Sequence, residues 1–255
     1  MAAFKFPSLL AILVLLNMLN TAISQSILQM HRSRSGSFLY CDSWRLSVET
    51  NNAGYWETIP SECMSFVENY MTGKRYLSDS KVAASDSLAF AQSVNFTGDG
   101  KEVWVFDIDE TLLSTISLYQ ARGFKSEPLE ALAFETSTYI DLFDLPALPA
   151  SLKFYNELLE MNFTIVLLTG RAEALRNGTE ENLLKVGYTN WERLILRNAT
   201  DEAKTAVDYK SEKRQELVDE GYVIHGNSGD QWSDLLGYAV AERSFKLPNI
   251  MYYIA

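Results

Sequence analysis

The sequence predicts an α/β protein: a parallel sheet flanked by helices, with a helical N-terminal extension and a small cap insertion. Three observations predict it. Short apolar runs recur at 103–108 (VWVFDI), 163–168 (FTIVLL), 193–197 (RLILR) and 222–226 (YVIHG). They are continuous rather than alternating, as strands buried on both faces are. Amphipathic stretches of helical length lie between them, at 149–161, 171–186 and 202–220. Strand then helix, repeated, implies a right-handed parallel arrangement.

The elements follow in chain order. Residues 1–24 carry one early charge, Lys5, an apolar run from Leu9 to Leu16, and the small residues Ala22 and Ser24 ahead of Gln25. That is the pattern of a signal peptide. The run is short for a bilayer span and Asn17 and Asn20 interrupt it, so no membrane anchor is expected. Residues 25–40 are polar and read as a mobile arm. Residues 41–100 read as a helical extension. Pro60 stands near the start of a helix over 60–72, and a second helix is expected over 79–94. The core then runs from 101 to 255, with a cap insertion at about 112–148. Ile250 to Ile254 reads as one further strand. The insertion's aromatics, Tyr119, Phe124, Phe134, Tyr139 and Phe143, are expected to pack the insertion rather than line an entrance.

Of the 255 residues, 33 are acidic and 22 basic, for a net charge of -11. That balance argues against nucleic acid and against anionic membrane surfaces as partners. It does not exclude a small anionic substrate, because a local field can be positive on an acidic protein. Cys41 and Cys63 are the two cysteines. On a secretory route they form a candidate disulfide, worth about 3 kcal/mol in the loop-entropy model. They cannot make a zinc site alone, and His225, in an apolar run, reads as a core histidine. The Asn-x-Ser/Thr sequons at Asn95, Asn162, Asn177 and Asn198 suit the same route; Asn162 abuts an apolar run. Vacuole and extracellular space are equally compatible destinations.

In an open parallel sheet, ligands bind beyond the carboxyl ends of the strands. The first strand exits into Asp107-Ile108-Asp109, the second into Thr169-Gly170-Arg171, and the fourth into Gly229-Asp230, with Asp234 following. Lys210 lies on the helix before the fourth strand. Asp107 and Asp109 are two apart, so both can face one pocket while Ile108 faces the core. Adjacent carboxylates repel, and a divalent cation relieves the repulsion. Asp107, the backbone carbonyl of Asp109, and Asp230 are hard oxygen ligands that suit Mg²⁺. A carboxylate can also attack phosphorus, and a second can serve as acid and base. Thr169, nearby backbone N–H groups and Lys210 would hold phosphoryl oxygens.

The stretches DIDET, LLTGR, YKSEKR and GDQWSDL resemble the four motifs of the haloacid dehalogenase (HAD) superfamily of phosphatases. Cys41-Asp42-Ser43-Trp44-Arg45 and Phe245-Lys246-Leu247-Pro248 extend the resemblance to plant acid phosphatases and vegetative storage proteins. It covers roughly 38–255. The resemblance implies a HAD-like Rossmannoid core and a Mg²⁺-dependent acid phosphatase acting on small phosphate monoesters. It implies Asp107 as nucleophile, Asp109 as general acid and base, and Thr169, Gly170 and Lys210 as phosphate-binding residues. Lys210 heads its motif and is preferred to Lys213. Asp107, Asp109, Asp230 and Asp234 form the implied metal site. Some storage members carry serine for the nucleophile; here Asp107 is intact. A storage glycoprotein with weak or vestigial activity is the second reading. A homodimer and a heterodimer with a close homologue both stay open.

Overall fold

A computed structural model describes residues 36–124 and 143–254. The signal segment, residues 25–35 of the arm, and Phe134 and Tyr139 of the insertion lie outside the described residues. The chain divides into two units, 1–40 and 41–255. Of the first, only 36–40 is described, as helix, so the expected mobile arm gives way to helix over those residues.

The extension is helical. Helix α1 spans Gly36–Glu49, α2 spans Met64–Met71, and α3 spans Lys74–Ala91. A 3-10 turn, Ser61–Cys63, follows Pro60, whose fixed φ suits the entry to helix. A disulfide joins Cys41 in α1 to Cys63, both buried. The core follows as β1 (Glu102–Phe106), α4 (Ile116–Ala121), α5 (Pro149–Glu160), β2 (Thr164–Ala172) and α6 (Arg176–Lys185). It continues with β3 (Arg193–Arg197), α7 (Ala206–Asp219), β4 (Val223–Gly229), α8 (Trp232–Leu235) and β5 (Arg243–Lys246). These strands form one parallel sheet in the order β3-β2-β1-β4-β5.

The central strand explains its own composition. Successive side chains of β1 point to opposite faces. Val103 and Val105 pack with Val166, Leu168, Tyr209 and Leu217, whereas Trp104 and Phe106 pack on the other face. Both faces are covered, so the strand reads as one apolar run. Trp104 donates its indole N–H to Ser228 Oγ at 3.0 Å and meets Phe154 of α5 edge-on at 5.0 Å. Gly226 of β4 passes beneath that indole, where a Cβ would stand 2.4 Å from the ring.

The expected strand at Ile250–Ile254 is not a strand. The fifth strand is Arg243–Lys246, whose Arg-Ser start is exposed and polar, as an edge allows. Residues 250–254 owe their apolar character to packing. Ile250, Met251 and Tyr252 are buried, and side chains take the backbone N–H groups: Asn249 Oδ1 accepts from Met251, and Gln231 Oε1 from Ile254.

The described flanks of the insertion belong to the core. Leu112, Leu113, Leu118, Tyr119, Phe124, Leu145 and Leu148 are all buried. Tyr119, Phe124 and Phe143 therefore pack, as expected. His225 is buried beside Glu242, with Nδ1 2.8 Å from its carboxylate.

Candidate active site

The carboxyl ends of the strands open onto a cavity of about 530 Å³. Asp107, Asp109, Thr169, Gly170, Lys210 and Asp230 line it, with Asp234 beside them. All seven residues that the sequence singled out for this site therefore reach one cavity. Lys213 is not in its wall and pairs instead with Glu216 on the helix surface.

Asp107 continues the sheet: its N–H donates to Ser228 O at 3.0 Å. Ile108 is fully buried in the core, so Asp107 and Asp109 face the cavity on either side of it. The chain then turns sharply. Glu110 adopts φ +55°, a left-handed conformation unusual for a non-glycine residue. Its carboxylate holds that turn, accepting from the N–H and hydroxyl of Thr115 at 2.9 and 2.7 Å and from the Tyr76 phenol of α3. Burial pushes Glu110 up to about 7. The helical extension thus buttresses the loop that carries both aspartates.

The Thr169-Gly170-Arg171 stretch lies where the β2–β3 register slips between Leu168 and Ala172. Such irregularities re-aim side chains near sites. Thr169 Oγ1 accepts from the Arg171 N–H at 3.2 Å. Arg171 grips Asp109 with a two-pronged fork, Nε to Oδ2 at 2.9 Å and Nη2 to Oδ1 at 2.6 Å. Its third nitrogen, Nη1, donates to Thr179 Oγ1 of α6 at 3.0 Å. The sequence reading gave Arg171 no role, although it stands in the LLTGR motif.

Lys210 projects from α7, a helix capped by the Thr205 side chain. Its ammonium donates to Asp107 Oδ1 at 2.5 Å and to Asp234 Oδ1. Burial by itself would lower the lysine; the two carboxylates outweigh it and hold the ammonium charged. Burial likewise drives Asp107 upward, opposed by Lys210 and reinforced by Asp234, Asp230 and Asp109. Arg214, fully buried on the same helix, donates to the carbonyls of Asp234, Leu236, Tyr238 and Ala239 and so fixes the segment after β4. Gly229 lets Asp234 come close, since a Cβ there would stand 2.4 Å from its carboxyl.

Asp230 is oriented by one of its oxygens. Oδ2 accepts from Asn249 Nδ2 at 2.6 Å, Gln231 Nε2 at 2.9 Å and the Tyr252 phenol at 3.2 Å. Among the described residues, Oδ1 receives only the long 3.4 Å contact from Thr111 Oγ1. The contacts are thus unevenly shared, three short bonds on one oxygen against one long contact on the other.

The donor set fits a hard divalent cation. Carboxylate oxygens of Asp107, Asp230 and Asp234 lie within 4.8 Å of one another. Oxygen-only coordination suits Mg²⁺. Lys210 pairs with Asp107 and Asp234, and Arg171 pairs with Asp109, so the carboxyl groups around the cavity outnumber the cations directly paired with them. The Asp109 carboxylate stands outside the cluster, in the grip of Arg171.

A family model described as HAD superfamily, subfamily IIIB (acid phosphatase), matches residues 25–255. Acid phosphatase 1 of Solanum lycopersicum is 47% identical over 216 residues, 85% of this chain and 84% of that protein. The stem 28 kDa glycoprotein of Glycine max is 42% identical over 216 residues, 84% of each chain. Vegetative storage protein 1 of Arabidopsis thaliana is 40% identical over 215 residues, 84% of this chain and 78% of that protein. Among solved structures, the class C acid phosphatase from Bacillus anthracis superposes with a TM-score of 0.59 at 21% identity, over 74% of this chain and 85% of that chain. That likeness is one of fold.

Proposed function

The chain belongs to the acid phosphatases of HAD subfamily IIIB, and on that premise we propose that it hydrolyses small phosphate monoesters through an aspartyl-phosphate intermediate. One observation carries the reading: two carboxylates, a hydroxyl, an ammonium and an oxygen-rich cation site converge at the strand ends of one cavity.

An Asp107 oxygen attacks phosphorus, and the bond to the ester oxygen breaks as the new P–O bond forms. Asp109 gives its proton to the departing oxygen. It then takes a proton from water as that water attacks phosphorus, which releases inorganic phosphate and restores Asp107. Lys210, Thr169 and the Gly170 backbone hold the phosphoryl oxygens, where charge is concentrated. Arg171 fixes the direction of the Asp109 carboxylate. Asp107, Asp230 and Asp234 would hold Mg²⁺, with the Asp109 backbone carbonyl as a further ligand. Bound there, Mg²⁺ supplies charge neutralisation for nucleophile and phosphate.

The Cys41–Cys63 bridge and the signal pattern of residues 1–24 support entry to the secretory pathway, toward vacuole or extracellular space. No helix among the described residues is long and apolar enough to cross a membrane. Asn95, Asn162, Asn177 and Asn198 are all exposed, as glycan carriers must be. A storage glycoprotein with weak activity is the second reading, favoured by the identity to vegetative storage protein 1.

Hydrolysis of a chromogenic phosphate monoester by the purified mature protein tests both. It is run at several pH values, with and without chelator, beside Asp107→Asn. Turnover that falls with chelation and with the substitution is the expected result. Negligible turnover by folded, Mg²⁺-supplied protein would leave the storage reading.

A further inference from the structure

Resting on the phosphatase reading, we propose that the cavity holds a second anion subsite, built on Arg197, which selects phosphate monoesters bearing a second acidic group. A cavity of about 530 Å³ falls in the range that encloses a whole small ligand rather than one phosphate. Arg197, Lys204 and Thr205 form part of its wall. Arg197 closes β3, so it stands at a strand exit as Asp107 and Thr169 do.

The charge on that part of the wall belongs to Arg197. Lys204 is held by two acids, Asp201 at 2.8 Å and Glu212, so its charge is already answered. Arg197 makes no ion pair among the described residues. Its guanidinium is nonetheless fixed. Nη1 donates to Lys204 O at 3.1 Å, and the group lies over the Tyr209 ring, 4.8 Å from the centroid. Nε is buried without a hydrogen-bond partner. No hydrogen bond occupies Nη2 among the described residues.

A cation held rigid in a cavity wall with no counter-charge is suited to receive one from a ligand. A planar guanidinium favours carboxylate or phosphate, the groups whose oxygens match its fork. The aspartate cluster cannot serve this purpose, because in the proposed mechanism it is already committed to the cation and to the transferred phosphoryl group. The geometry therefore separates two tasks. Lys210 and the cation site take the phosphoryl group that is transferred, and Arg197 takes the acid that stays on the leaving alcohol.

The test compares esters that differ by one group: glycerol 3-phosphate with 3-phosphoglycerate, and fructose 6-phosphate with fructose 1,6-bisphosphate. Each pair is measured with the Mg²⁺-supplied wild type, Arg197→Met and Arg197→Lys. The expected wild-type result is a kcat/KM at least about tenfold higher for the diacid in one pair, as a charged hydrogen bond supports. Which pair shows it tells carboxylate from phosphate. That ratio should fall to near one in Arg197→Met and recover in part in Arg197→Lys. A wild-type ratio near one would overturn the subsite. So would a loss that strikes both members of a pair equally, since Arg197 would then serve the transferred phosphate. Absence of turnover on all four esters and on a chromogenic ester, by folded wild type, would instead overturn the phosphatase reading on which the subsite rests.

Discussion

Asn249 donates from Nδ2 to Asp230 Oδ2 at 2.6 Å, and the backbone N–H of the same Asn249 donates to Glu49 Oε1 at 2.9 Å. Glu49 ends helix α1 and also accepts from Lys246 Nζ at 2.9 Å. The last residue of that helix is thus two hydrogen bonds from an aspartate of the proposed cation site. Groups that orient a ligand carboxylate commonly matter to metal affinity by about 10- to 100-fold. Asn249→Ala should weaken Mg²⁺ binding by that order. Glu49→Gln should weaken it less, because an amide oxygen still accepts from Asn249. Calorimetric titration of Mg²⁺ into each folded variant checks both, independently of turnover. Unchanged affinity in Asn249→Ala would mean that Gln231 and Tyr252 suffice to orient Asp230.

Arg171 gives a second prediction, on rate. Its fork fixes the Asp109 carboxylate through two bonds, a geometry that lysine cannot reproduce. Arg171→Lys should lower kcat, by up to about 100-fold, the lower end of what general acid–base catalysis contributes. The loss should depend on the leaving group. An alkyl oxygen needs the proton that Asp109 delivers, whereas nitrophenolate leaves readily without it. The ratio of kcat for glycerol phosphate to that for para-nitrophenyl phosphate should therefore fall in the variant. Equal losses on both esters would place Arg171 in general support of the loop instead.

The sheet was legible because β1 is buried on both faces, so Val103 to Phe106 reads as one apolar run. The site was legible because its residues sit at strand exits in fixed short motifs. Other features lacked such signals. Arg243–Lys246 is an edge strand with a polar start, and its four residues carry no periodicity. Ile250–Ile254 resembles a strand because burial, not pairing, selects its side chains. Glu110 stands beside the aspartates, but its role depends on Tyr76, 34 positions earlier, which no local pattern reports. Arg197 has no motif at all, and what singles it out is a fixed guanidinium with no ion pair among the described residues.

The disulfide yields a prediction on stability. Cys41 and Cys63 are 22 residues apart, and closing such a loop is worth about 3 kcal/mol in the unfolded-state model. Both sulfurs are buried, so mild reductant should act slowly on the native protein. Cys41→Ser with Cys63→Ser should lower unfolding stability by about that amount, measured by denaturant titration. Because α1 carries Glu49, the double variant should also bind Mg²⁺ more weakly than wild type. A stability loss with no change in affinity would confine the bridge to the extension.

Glu102 supplies the pH prediction. Its Oε1 accepts from the Thr97 hydroxyl at 2.7 Å and the Thr97 N–H at 2.6 Å. The hydroxyl bond is the largest cause, ahead of an opposing burial effect, and the carboxyl is lowered to about 2 from an ordinary 4.5. A depressed carboxyl contributes stability above its unfolded value, and that contribution fades as pH falls toward the folded one. Glu102→Gln should therefore melt below wild type by a constant margin above about pH 5. The margin should narrow as pH is lowered from about 4.5 toward 3, because the wild type alone loses the contribution. Melting curves of the two proteins across that range decide it. A margin that stays constant through the acid range would mean that Glu102 acts through shape and neutral hydrogen bonding, with its charge contributing nothing.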